Sequence, residues 1–444
     1  MRFLIENFGC QMNDHDMEKM GSVLIDHGHS FAAGIDDADI VIVNTCCIRE
    51  KAEQKFYSLM GRLQHVRRKT GLILGVTGCI AEQEKENIFE RLPFIDFSLG
   101  PSNIHKVAEA VDNAKGNLRT GGFGDNACSP SLFIRPHNTR QGVKGFVTIM
   151  KGCNNFCSYC VVPYVRGREE SRPGADVLAE VREMAGRGIV EVTLLGQNVN
   201  SYNNGGGDLS FPELLKEIDA IPGIERVRFV TSHPKDISRE LIQCFGTLGT
   251  LCESIHLPFQ SGSDRILKRM NRGYTAAGYL EKVDALKEQC PGISLTADCI
   301  VGFPGETDED FEQTMLLMER VQFDGIFSFI YSARKFTAAA KLTGPVPPPV
   351  AHERLARFQG RQREITLGSN KNMEGKKVEV LVEGPSKNSP DELSGRTRAG
   401  KIVNFKGDPD MVYKLVEVDI IKGYANSLRG RCESAPGGKQ CSRR

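Results

Sequence analysis

Short apolar runs alternating with amphipathic ones, in two blocks separated by a break, constrain the fold of this chain more than any other feature. Residues 2–8 (RFLIENF), 39–45 (DIVIVNT), 72–77 (LILGVT) and 94–99 have the length and residue types of strands. Between them, 14–27, 48–66, AEQEKENIFERL and 103–115 repeat apolar residues at helical spacing, with Met17, Met20, Val23 and Leu24 of the first facing inward. Alternation of this kind predicts an α/β unit over 1–116, an open parallel sheet with helices on both faces. Residues 117–140, rich in Gly, Asn, Ser and Pro, read as a linker.

The alternation then resumes. Strands are expected at 145–150, 191–195, 226–231, 254–258, 294–301 and 325–331, and helices at 174–187, 211–220, 236–246, 275–289 and 307–321. Six such βα units over 141–371 predict an incomplete TIM-like barrel. GPVPPPV (344–350) and a charged helix over 352–371 close it. From 376 the text changes to short β-type runs, so a small antiparallel β-barrel is expected over 372–432. Residues 433–444 read as a disordered tail.

At 444 residues the chain exceeds one typical core, in keeping with this division. With 57 Lys+Arg against 56 Asp+Glu, overall charge gives no sign of a nucleic-acid partner, which must be sought in local patches. The start MRFLIENFGCQMN has no apolar signal core, and no apolar run reaches about 18 residues. The expected compartment is the cytoplasm, with no membrane contact. There the 14 cysteines stay reduced and bind metal or do redox chemistry rather than pair.

Two sets of cysteines stand out. The loop KGCNNFCSYC (151–160) spaces Cys153, Cys157 and Cys160 as C-x3-C-x2-C after a strand at the catalytic face of the barrel. Three thiolates this close can hold three corners of a cubane iron–sulfur cluster and leave one iron open. Half of a zinc knuckle is the competing account, but no fourth Cys or His lies nearby, His137 being the nearest histidine. The second set is Cys10, Cys46 and Cys79, each just past the carboxyl end of a separate strand of the first unit. In a parallel sheet those ends share the edge where ligands bind, so a second three-thiolate cluster is expected there. Scattered cysteines of this kind otherwise serve as buried filler. Cys47 adjoins Cys46, and because neighbouring side chains point apart, Cys46 is the expected ligand.

The C-x3-C-x2-C loop resembles that of the radical S-adenosylmethionine (SAM) superfamily. Seven segments, one of them containing that loop, narrow this: ENFGCQMN, NTCCIREKAEQK, VTGCIAEQE, MKGCNNFCSYCVVPYVRGREESR, LLGQNVNSY, HLPFQSGSDRILKRMNRGYT and IVGFPGETDEDF. Together they resemble the methylthiotransferase family of radical SAM enzymes over residues 2–431. IREKAEQK, QSGSDRILKRMNRGYT and the ending SLRGR are most similar to its tRNA-modifying branch. The resemblance implies two 4Fe–4S clusters and two SAM molecules per turnover. It also implies a radical that abstracts hydrogen from C2 of the isopentenylated adenine next to the anticodon, followed by sulfur insertion and methylation. A reducing partner such as flavodoxin or ferredoxin, a sulfur donor and a monomeric state are further expectations. A sibling acting on threonylcarbamoyl-adenosine or on a ribosomal-protein aspartate is the nearest alternative, and a non-catalytic iron–sulfur or zinc RNA-binding protein the alternative of another class.

Around the first loop, Tyr159, Gly196, Gln197, Ser232, Gln260 and Gly302 are candidate SAM contacts at strand ends of the catalytic face. Gly302 and Gly305 in GFPGET allow close backbone approach, or serve a helix-entry turn with Thr307 as N-cap. His233 and His256 on the same face read as structural. Arg166, Arg168 and Arg172 after the loop are candidate phosphate contacts. The last barrel resembles the TRAM domain, an OB-like RNA-binding barrel, and Arg396, Arg398, Lys401, Arg429 and Arg431 are its candidate RNA contacts. In YSARKFTAAAKL (331–342) the family usually reads YSPRPGTPAA, so Ala333, Lys335, Phe336 and Ala338 replace turn-forming residues.

Overall fold

In the computed structural model the described residues are 1–46, 50–124, 129–136, 142–203, 206–387 and 389–432. Cys47 and the segment 433–444 lie outside them. The first unit is a parallel sheet of β1 (Arg2–Phe8), β2 (Ser30–Phe31), β3 (Ile40–Thr45), β4 (Ile73–Gly78), β5 (Phe97–Leu99) and β6 (Thr120–Gly122), ordered β2-β1-β3-β4-β5-β6. Every residue of β3 and β4 is buried. Their side chains alternate between two apolar layers. Val41, Val43, Leu74 and Val76 pack with Phe56, Leu59 and Leu63 of helix Glu50–Thr70, while Ile40 and Ile42 pack with Met20, Leu24, Val107 and Val111 opposite. Each large aliphatic side chain so buried contributes about 1.5–3 kcal/mol. The sheet runs past the expected boundary at 116: Thr120–Gly122, read as linker, is its edge strand, because its backbone pairs with β5 where side chains give no pattern.

The second unit carries six parallel strands in two sheets. They are β7 (Lys144–Thr148), β10 (Glu191–Leu195) and β11 (Arg226–Phe229), then β12 (Ser254–His256), β13 (Ser294–Val301) and β14 (Gly325–Ile330). A parallel bridge between Val227 and Leu251 links the two groups, and among the described residues β7 and β14 do not pair, so the barrel is partial. Between β7 and β10, the two-residue strands β8 (Met150–Lys151) and β9 (Glu170–Ser171) pair antiparallel and close the base of the loop that carries Cys153, Cys157 and Cys160. Helix Asp264–Arg269 was not foreseen; Ser263 caps it by accepting from the Ile266 amide.

The last unit is a closed barrel of β15 (Lys377–Ser386), β16 (Ser389–Thr397), β17 (Ile402–Lys406), β18 (Leu415–Gly423) and β19 (Leu428–Arg431), ordered β15-β16-β17-β19-β18. It is not wholly antiparallel, since β17 and β19 pair parallel. It docks on the amino-terminal ends of the strands of the second unit. Arg228 donates to the Arg398 and Thr397 carbonyls at 2.8 Å, and Arg226 donates to the Arg396 carbonyl at 2.9 Å. Among the described residues no helix is long and apolar enough to cross a membrane.

Candidate functional site

The loop 151–160 is held by backbone constraints that only certain residues satisfy. Gly152 has φ +74°, and a Cβ there would lie 1.9 Å from the Arg168 carbonyl oxygen. Its amide donates to Gln197 Oε1, so Gln197 fixes the loop rather than standing free for a ligand. The Cys153 amide donates to the Gly167 carbonyl at 3.2 Å, and Ser158 is tied through its amide and hydroxyl to Met270 and Arg269. Cys157 is buried and Cys153 and Cys160 are half-buried. Burial pushes the Cys153 thiol up to about 11 and Cys160 up to about 12, so loading with metal there displaces protons.

Two donors face Cys157. Arg272 Nη1 lies 3.4 Å from its Sγ, and Arg272 is itself anchored by the Pro258 carbonyl at 2.7 Å and the Tyr274 hydroxyl at 3.0 Å. His233 Nε2 lies 3.9 Å from the same sulfur, while its Nδ1 accepts from the Lys235 amide. Burial, then Arg272, lowers His233 to about 2, so it is neutral and its Nε2 carries the proton. Sequence reasoning took His233 as merely structural and did not single out Arg272, which is one residue of a long polar segment. Its only signal was membership of RMNRGYT.

The second set is assembled by strand register. β1, β3 and β4 are neighbours, with Phe8 opposite Thr45 and Thr45 opposite Gly78. Cys46 and Cys79 each follow a register residue directly, and Cys10 follows by two, so all three thiols meet at one sheet edge. The Cys46 amide donates to the Phe8 carbonyl at 3.2 Å. Cys10 precedes helix Gln11–Asp26, and Cys79 opens helix Cys79–Glu84. A buried amide pair supports the edge: Asn13 donates to Thr45 and Asn44 at 3.1 and 3.3 Å, and Asn44 donates back to the Asn13 carbonyl at 2.8 Å. Gly78, at φ +92°, leaves no room for a Cβ, which would sit 2.5 Å from both Asn44 Oδ1 and the Thr45 carbonyl. Burial raises the Cys10 thiol, with the charge of Cys79 adding to the effect and Arg166 opposing it.

Arg166 ties the two units together. It is buried, lies 2.9 Å from Asp16 of the first helix, and hydrogen-bonds Cys79. Burial opposes its charge, yet Asp16 and then Cys79 and Cys10 hold it well above the usual guanidinium range. The phosphate role expected for it is therefore replaced by a contact with the second thiol set. Arg172 is likewise withdrawn, fully buried and paired with Glu180 at 2.6 Å. Arg168 stays exposed.

Among the described residues no three His, Cys, Asp or Glu side chains converge on a single metal ion. A cubane cluster asks for a wider triangle, since each thiolate takes a different iron. Two sets of three soft donors, each buried or half-buried, suit that group. For SAM, Ser232 Oγ and Gln260 Oε1 are buried without a hydrogen-bond partner, as are Asn198 Oδ1 and Tyr331 Oη. Orphaned polar atoms on the catalytic face are what a polar ligand satisfies. Tyr159 is half-buried, with its hydroxyl 3.3 Å from Arg272. Gly196 and Gly302 have internal reasons instead: a Cβ would lie 2.5 Å from Met150 and 2.9 Å from Ala351, and the Gly302 amide donates to Glu306. Thr307 is the N-cap of helix Asp308–Val321.

The candidate RNA contacts of the last barrel divide. Arg398 bonds Glu253 and the Gly249 and Leu251 carbonyls, and Lys401 bonds Asp324 at 2.5 Å, so both dock the barrel on its neighbour. Arg396 and Arg429 remain half-exposed beside Glu383 and Glu392, and Arg431 is exposed.

Residues 2–100 match a family described as "Uncharacterized protein family UPF0004", 147–318 the radical SAM superfamily, and 371–432 the TRAM domain. The fold is shared with a radical SAM methyltransferase, TsrM, from Kitasatospora setae, at TM-score 0.57 and 15% identity over 77% of each chain. It is also shared with the cobalamin-dependent SAM radical enzyme OxsB, at TM-score 0.52 and 13% identity over 82% of this chain and 57% of that one. Three domains in this order define a radical SAM enzyme with a carboxyl-terminal TRAM barrel. The protein of this kind from Syntrophus aciditrophicus, tRNA-2-methylthio-N(6)-dimethylallyladenosine synthase, is 50% identical over 97% of this chain and 94% of its own. That from Geobacter metallireducens, of the same name, is 52% identical over 96% and 97%. The chain belongs to the family of tRNA-2-methylthio-N(6)-dimethylallyladenosine synthases.

Proposed function

We propose that this chain replaces the C2 hydrogen of N6-isopentenyladenosine, next to the anticodon of tRNA, by a methylthio group. The observation that carries this reading is the pair of three-thiol sites joined through Arg166. One site suits radical generation and the other holds sulfur chemistry beside it. Cys153, Cys157 and Cys160 hold the first 4Fe–4S cluster, and Cys10, Cys46 and Cys79 the second. With SAM, the first supplies the one-electron chemistry that removes hydrogen from an unactivated C–H bond, and a second SAM supplies the methyl group. Ser232, Gln260, Asn198 and Tyr331 orient SAM through their unpartnered polar atoms. Arg272 and His233 donate toward Cys157 and fix its position. Arg166 keeps the second set of thiols in register with the first loop. Arg396, Arg429 and Arg431 meet RNA phosphates, a reductant such as flavodoxin or ferredoxin and a sulfur donor complete the system, and the monomer works in the cytoplasm.

Nucleoside analysis of tRNA from a cell lacking the gene tests the reading. The 2-methylthio-N6-isopentenyladenosine peak should vanish and N6-isopentenyladenosine should accumulate. An undiminished methylthio peak would rule the reading out, and loss of a methylthiolated threonylcarbamoyl-adenosine instead would move the chain to the sibling activity.

A further inference from the structure

Three aromatic rings stand exposed at the rim of the loop 151–160. Phe156, between Cys153 and Cys157, is 41% exposed, Tyr164 45% and Phe336 59%. Phe156 meets Tyr164 edge-on at a centroid distance of 6.2 Å, and Tyr164 meets Phe336 at 6.3 Å with planes 36° apart. The rings therefore form one surface drawn from two sides of the mouth: the thiol loop with the short helix Val162–Val165 after it, and the segment following β14.

The backbone beneath this surface is held against its own preference. Phe156 has φ +46° and Phe336 φ +69°, a left-handed conformation in which bulky side chains are outliers. The motif that the chain resembles has glycine at 336, which takes that conformation without strain. Phenylalanine there is disfavoured by its backbone and, being exposed, is not compensated by burial. Strain of this kind persists only where neighbours enforce it, and it gathers at ligand clamps. The enforcing contacts are present. Asn271 donates to the Phe156 carbonyl at 3.0 Å and to Asn155 at 3.3 Å. On the other side Lys335 pairs with Glu84 at 2.7 Å, five residues beyond Cys79, and the Ala339 amide donates to the Ser158 carbonyl at 2.7 Å. The rings are thus fixed to both thiol sites rather than free to fold away.

We propose that Phe156, Tyr164 and Phe336 form a stacking platform for an unpaired nucleobase of the RNA substrate, adjoining the base that is modified. This rests on the function proposed above. A base brought to the open face of the thiol loop must carry its neighbours across the rim, where Phe156 lies inside the loop itself. Flat rings that cannot collapse suit the faces of bases, and proteins that bind single-stranded RNA hold splayed bases in this way. Half-exposed Lys235, whose Nζ bonds Asn155 at 2.6 Å, places positive charge beside Phe156 for the backbone phosphates.

The test is equilibrium binding of an anticodon stem-loop carrying N6-isopentenyladenosine to the iron-loaded protein. Its companion is the same RNA with abasic sites flanking that nucleoside. For the intact RNA, Phe336→Ala should weaken binding by roughly tenfold and Phe336→Trp should restore it, while for the abasic RNA the wild type and Phe336→Ala should bind alike. Iron content checks that each variant keeps its clusters, and Tyr164→Ala gives an independent ring deletion. Equal affinity of wild type and Phe336→Ala for the intact RNA, or equal losses on both RNAs, would overturn the proposal and leave the function standing. Failure of the wild type to bind the isopentenylated stem-loop better than its unmodified form would overturn the function, and the platform with it.

Discussion

In the loop 151–160 three thiols hang from eight consecutive residues, pinned at their base by the two-residue strands β8 and β9. Cys10, Cys46 and Cys79 come instead from three strands and 70 residues of chain, and only the register of β1, β3 and β4 brings them to one edge. The contrast is between a site made by local backbone and a site made by a whole sheet. A local site is damaged by changes in its own loop. A sheet-built site is damaged by anything that shifts one strand, including contacts from another domain, and Arg166 is such a contact. The two should therefore fail separately, and in different ways.

The largest effects should come from the glycines. In Gly152→Ala the new Cβ meets the Arg168 carbonyl, and in Gly78→Ala it meets Thr45, each at positive φ. Each change should remove its own site's share of bound iron while sparing the other's, and cost on the order of 3 kcal/mol in denaturant unfolding. Loss of all iron in either variant would break the separation. Next comes Arg166→Leu, which leaves Asp16 buried without its cation. A stability loss of about 3 kcal/mol is expected, with iron lost from the second site alone. If the thiol loop loses iron instead, Arg166 belongs to the first site.

A smaller effect sharpens the comparison at Cys157. Arg272 brings a positive charge and a hydrogen-bond donor to that sulfur, and both favour the more negative, reduced state of a bound cluster. Arg272→Gln should shift the reduction equilibrium of the first cluster about tenfold toward the oxidised form, a midpoint lower by about 59 mV for one electron. The second cluster's midpoint should not move. Potentiometric titration followed by electron paramagnetic resonance reads both. The smallest effect is expected at Arg429, whose pair with Glu392 is half-exposed, so Arg429→Gln should change stability by no more than about 0.5 kcal/mol.

How far the sequence could be read follows the same divide. Spacing alone exposed the thiol loop, because all its information lies within ten residues. The second set was legible through topology, since strands rich in β-branched residues announced a parallel sheet whose carboxyl ends had to share an edge. Strands buried on both faces, β3 and β4 above all, were placed within a residue or so. Thr120–Gly122 was not, because two glycines carry no side-chain pattern and only the neighbour's backbone makes them a strand. The cations were the weakest point. Arg166, Arg172, Arg398 and Lys401 looked like phosphate or RNA contacts, yet each is turned toward a carboxylate of its own fold. Charge in a sequence does not say which way a side chain faces, nor which carboxylate the fold brings beside it. For the same reason Arg272 and Arg166, two of the residues that touch the thiols, drew no attention or the wrong one.

The claim at the centre of this account is that the chain holds two clusters on two independent sets of three thiols. Iron and acid-labile sulfide, measured on anaerobically reconstituted protein and on Cys153→Ala and Cys10→Ala, test it directly. About eight iron atoms per chain are expected, falling to about four in each variant and to none when both changes are combined. A single zinc, or about four iron in the wild type that Cys10→Ala leaves unchanged, would contradict it.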